Sequence, residues 1–121
     1  WEREFRRGVA DALAVIRSST DAPVLWTEVP CFEWAEAVSQ RELADDDRID
    51  AVNDALVAEL AEDPAATLIP YRSEVCDGPD DTESDDELRP DGAHLTPEAA
   101  EAWWWSLVPR VRTAQRAAAE G

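Results

Sequence analysis

The 121 residues carry 28 acidic against 11 basic side chains, a formal net charge of −17, with 45% hydrophobic residues and six tryptophans. That apolar share is too high for an acidic disordered tail and fits one globular domain over residues 1–121. Every base is arginine, and so negative a surface repels phosphate backbones and anionic lipid, which argues against nucleic-acid and membrane-surface partners; no apolar run approaches the roughly 20 residues of a membrane span.

Residues 2–18 are predicted to be a helix, because Phe5, Val9, Ala12, Leu13 and Ile16 fall on one face at helical spacing, with Trp1 one turn further back. The chain opens inside this helix without an initiator Met, as a fragment or processed product would. Thr20-Asp21-Ala22-Pro23 ends the helix. Val24 to Val29 follows as a short apolar run stopped by Pro30, the pattern of a strand buried on both faces of a parallel sheet. Residues 31–44 are expected to be a loop containing Phe32 and Trp34.

A second helix is predicted over 47–62. Ile49, Val52, Leu56 and Leu60 form its stripe with Val57 beside it, and Asp45 to Asp47 offer N-caps and favourable charge at its start. Asp63-Pro64 closes it, and Thr67 to Tyr71 is a second strand candidate weakened by Pro70. Residues 74–90 are expected to be a polar loop, with seven acids between 77 and 87. Thr96-Pro97-Glu98 then opens a third helix to about residue 118, with Thr96 at the N-cap and Pro97 at the first turn. Trp103, Trp104, Leu107, Val108 and Val111 should line its apolar side, two of the three consecutive tryptophans packing inward, and Pro109 should kink it. The order α-β-α-β-α predicts an α/β fold with parallel strands and helices packed on the sheet. Two strands leave an apolar edge, so more of the domain is expected before Trp1.

His94 is the only histidine, and it lies between the last strand and the last helix, where open α/β folds place ligands. Asp91, three residues earlier, can accept the Nδ1 proton and leave Nε2 free as a base, with Gly92 permitting the turn between them. Asp-Gly is also an ordinary turn dipeptide, and a lone histidine is more often structural. The acidic stretch 77–87 lacks the spacing and turn glycine of a calcium loop and reads as a solvated loop.

The segment Asp91-Gly92-Ala93-His94-Leu95-Thr96-Pro97 resembles the final block of the SGNH hydrolases, the GDSL-like lipases and esterases. The run Val24 to Phe32 resembles the fourth strand of such domains, most closely those found alone or fused to membrane acyltransferases. The resemblance spans nearly the whole chain but only the C-terminal half of the family's fold. It implies the C-terminal portion of a flavodoxin-like three-layer α/β/α sandwich and a serine ester hydrolase or acyl-transferring activity that needs no cofactor. By the same resemblance Asp91 is the orienter and His94 the base, and the substrate is an ester-bearing small molecule or acylated glycan. The family's Gly-Asp-Ser, glycine and Gly-x-Asn-Asp blocks are missing; Asn53, in mid-helix, does not match them. Of the serines, Ser18, Ser19, Ser39, Ser84 and Ser106 are poorly placed, and Ser73, after the second strand, lacks a nucleophile-elbow pattern. The nucleophile and oxyanion hole are therefore expected on an N-terminal half of the domain, in an extracytoplasmic or membrane-associated parent, and this chain alone is expected to be inactive.

In that fold Cys31 and Cys76 follow adjacent parallel strands and meet at one sheet edge, where a disulfide would tie the Phe32–Trp34 loop to the acidic loop; two free thiols are the alternative. Two further readings stay open: a non-enzymatic acidic interaction module, and an α/β enzyme using Asp and Glu to bind metal.

Overall fold

The computed structural model describes residues 1–33, 45–77 and 83–120. In chain order the elements are α1 (Glu2–Ser19), β1 (Val24–Thr27), α2 (Asp46–Leu60), β2 (Ala66–Ile69), the one-turn α3 (Arg72–Val75), β3 (Cys76–Asp77), β4 (Glu83–Ser84) and α4 (Pro97–Glu120). The fold is mixed α/β, with β1 and β2 forming a parallel two-stranded sheet in the register Val24↔Ala66 to Thr27↔Ile69. The segment 74–90, expected to be loop throughout, instead holds the end of α3 and the antiparallel β3–β4 pair, Cys76 opposite Ser84. Two-residue strands are too short to leave a periodic pattern. Trp34, Ser39 and residues 78–82 of the acidic stretch lie outside the described residues.

Alternation along the strands decides where the core forms. Val24 and Trp26 of β1, with Ala66 and Leu68 of β2, pack against Val9 and Leu13 of α1 and Leu56 and Leu60 of α2. The opposite face, with Leu25, Thr67 and Ile69, meets α4 across a cavity of about 430 Å³ also lined by Pro109, Thr113 and Ala114. β1 is consequently half-buried along its length rather than buried on both faces, since a two-stranded sheet gives it one neighbour.

Local chemistry sets the helix ends. Asp45 accepts a hydrogen bond from the Arg48 amide at 3.3 Å and caps α2. Thr96 Oγ1 accepts from the Ala99 amide at 3.1 Å at the start of α4. Asn53, in the middle of α2, is buried and pairs with both backbone groups of Val29 at 2.9 Å, which ties the exit of β1 to α2. Asp63 receives Arg17 of α1 at 2.8 Å and the Ala65 amide at 2.9 Å, and these bonds hold its carboxyl below its ordinary range.

The third helix departs from its predicted packing. α4 runs without interruption through Pro109. Of the three consecutive tryptophans only Trp103 packs inward; Trp104 and Trp105 are 64% and 63% exposed, and Val111 is also exposed. Trp103 stacks obliquely on Tyr71, with ring centroids 4.6 Å apart, and donates its indole N–H to Glu74 at 2.8 Å. Arg110 pairs with the same Glu74. One glutamate of α3 thus receives two side chains of α4.

Candidate functional site

The turn between β4 and α4 is closed by its own backbone. The Gly92 amide donates to the Arg89 carbonyl at 2.7 Å, and the Thr96 amide to the Leu88 carbonyl at 2.9 Å. Gly92 has φ +72°, the left-handed region that favours glycine. A second constraint acts on it: the Glu33 amide donates to the Gly92 carbonyl at 2.9 Å, and a Cβ at Gly92 would lie 1.9 Å from the Glu33 carbonyl oxygen. The chain leaving β1 is therefore pressed against the turn.

Asp91 and His94 meet in this turn. Asp91 Oδ1 accepts the Ala93 amide at 2.9 Å and the His94 amide at 2.7 Å, while Oδ2 faces His94 Nδ1 at 2.8 Å. The His94 amide, then its ring, then the Ala93 amide hold the Asp91 carboxyl well below the usual carboxylate range. An ionised Asp91 requires Nδ1 to carry the proton of a neutral ring, which leaves the Nε2 lone pair available. The imidazole is 84% exposed, so that lone pair is open to an incoming proton donor.

The turn rests on a second buried cluster of Cys31, Val75 and Cys76, with Tyr71 and Leu95 against it. Cys31 and Cys76 are joined by a disulfide with a Cα separation of 6.1 Å. It ties the segment after β1 to β3, beneath the turn that carries Asp91. Arg89 is the residue that sequence reasoning missed. It is fully buried, and burial pushes its pKa down. Its hydrogen bonds run to main-chain oxygens: Nε and Nη2 to Ala93 at 3.0 and 2.7 Å, Nη1 to Cys31 at 2.6 Å. The guanidinium also lies over the Phe32 ring, 5.3 Å from its centroid. Among eleven arginines in an acidic chain, nothing in residue type or spacing marks this one; its burial appears only in three dimensions.

Among the described residues, no serine hydrogen-bonds His94. Ser18 and Ser19 both bond the Val15 carbonyl, Ser73 the Pro70 carbonyl and Ser106 the Trp103 carbonyl, while Ser84 is buried in β4. Ser73 lines a cavity of about 460 Å³ at the carboxyl ends of β1 and β2, together with Glu28, Asp50, Asp54 and Arg72. Among the described residues, no three His, Cys, Asp or Glu side chains converge as metal ligands would, and no helix is long and apolar enough to cross a membrane. No protein-family profile, curated protein or solved structure matches the chain.

Proposed function

We propose that Asp91 and His94 are the orienter and general base of a serine ester hydrolase or acyl-transferring domain of SGNH type. Its nucleophile and oxyanion hole belong to a preceding half of the domain. The observation that carries this reading is the 2.8 Å contact from Asp91 Oδ2 to an exposed His94 ring, with Asp91 Oδ1 occupied by two backbone amides. The carboxylate fixes the tautomer and supports the imidazolium that forms when Nε2 takes a serine proton. The parallel β1–β2 pair with helices on both sides supports the C-terminal part of a flavodoxin-like three-layer sandwich, in which such a turn lies at the catalytic end of the sheet. The proposed substrate is an ester-bearing small molecule or acylated glycan. The disulfide supports an extracytoplasmic setting.

The test is hydrolysis of a short-chain aryl ester by the full-length protein. His94→Ala should lower kcat by roughly 10²–10⁴-fold, the usual worth of a general base. Equal rates in the two proteins would remove His94 from the mechanism. The exposed Trp104 and Trp105 favour a second reading, an acidic interaction module without catalysis; that reading predicts no hydrolysis by either protein.

A further inference from the structure

We infer that Arg89 is the positioning residue of the Asp91–His94 pair, clamping the Ala93–His94 peptide from beneath and anchoring it to Cys31. This rests on the reading of that pair as orienter and base. The geometry is specific. The carbonyl end of the Ala93–His94 peptide accepts two guanidinium donors of Arg89, at 3.0 and 2.7 Å. Its N–H end donates to Asp91 Oδ1 at 2.7 Å. One peptide plane is thus gripped between a buried cation and a carboxylate. That plane leads directly into the His94 Cα, so it aims the imidazole whose Nδ1 meets Asp91 Oδ2. A cation on the carbonyl also polarises the peptide and strengthens its N–H as a donor to Asp91.

The third donor gives the clamp a fixed base. Arg89 Nη1 reaches the Cys31 carbonyl at 2.6 Å and lies 3.6 Å from Cys31 Sγ, and the Cys31 amide is 3.1 Å from Cys76 Sγ. The disulfide holds Cys31 against β3, so Arg89 is braced on a cross-linked segment. A fully buried guanidinium whose oxygen partners among the described residues are main-chain carbonyls, with Asp91 and Glu33 acting on its charge only through space, is costly to desolvate. An apolar side chain filling the same space would avoid that cost but could not hold the Ala93 carbonyl. Arg suits the task because its planar fork fixes donors on three nitrogens toward two separate carbonyls, whereas the donors of Lys all sit on one rotatable ammonium.

The experiment compares wild type, Arg89→Lys and Arg89→Met. Two readouts are taken in the full-length protein: kcat and KM for an aryl ester, and the ¹⁵N shifts of the His94 ring in alkaline buffer. His94 is the only histidine in these 121 residues, and its signal is confirmed by its loss in His94→Ala. Wild type should show the Nδ1–H tautomer. Arg89→Met should move the ring toward the Nε2–H form that a free histidine side chain prefers and lower kcat roughly 10–100-fold with KM little changed, the scale of a misaligned catalytic group. Arg89→Lys should fall between. Thermal melts identify the variants that fold, and if Arg89→Met does not, Arg89→Lys carries the comparison. A folded variant with the wild-type tautomer and wild-type kcat would overturn the inference. A tautomer shift in Arg89→Met, with no esterase activity even in wild type, would uphold the clamp while removing the hydrolase reading.

Discussion

Asp91 divides its two oxygens between folding and chemistry. Oδ1 closes the turn on two amides, and Oδ2 orients the imidazole. The bonds that depress its pKa exist only in the folded turn, so Asp91 links stability to acid. Its contribution is fully present above the unfolded carboxyl value near 3.9 and is lost as pH falls below that toward the lower folded value. Denaturation midpoints of wild type and Asp91→Asn should therefore differ near neutrality and converge in acid; a gap that stays constant down to low pH would contradict this. Gly92 offers a sharper residue-scale test. Gly92→Ala meets both an unfavourable φ and the Glu33 carbonyl. It should cost at least about 1–3 kcal/mol, read from the urea midpoint with the slope unchanged.

At the scale of elements, what was legible in the sequence follows from periodicity. Of the predicted helical stripes, Val9 and Leu13 of α1 and Ile49, Leu56 and Leu60 of α2 are buried, while Phe5, Ala12, Ile16 and Val52 are half-buried and Val57 is exposed. The Asp91–His94 pairing was legible for the same local reason: three residues and one glycine suffice to close it. The β3–β4 pair was not, because two-residue strands are too short to leave a periodic pattern, and neither was the outward turn of Trp104, because which tryptophan packs inward is decided by α3, earlier in the chain. Trp103 packs inward because Tyr71 and Glu74 receive it, whereas Trp104 and Trp105 stay exposed, the Trp105 indole donating to Glu101 of its own helix at 3.5 Å. Asn53 and Arg89 carry polar side chains whose burial is decided by backbone groups far along the chain. The element with most leverage is the disulfide, which closes a separation of 45 residues. Chain-entropy arguments give such a cross-link about 4 kcal/mol. Denaturation with and without reductant should show a loss of that order, and identical midpoints would mean that the cross-link contributes little.

At the scale of the whole molecule, the sheet has two strands, one well-packed face and a second face separated from α4 by an apolar cavity. Among the described residues, no further strand pairs with the outer edges of β1 and β2, main-chain groups that larger α/β domains pair or cover. A hydrolase reading gives those features a purpose, since a preceding half would add strands and bring a serine to the Nε2 side of His94. The most direct test is an alkyl fluorophosphonate, which labels a serine only when a base activates it. The full-length protein should be labelled at one serine outside these 121 residues, with labelling lost in His94→Ala. Equal labelling of wild type and His94→Ala, or no labelling of either, would contradict the proposed role of His94.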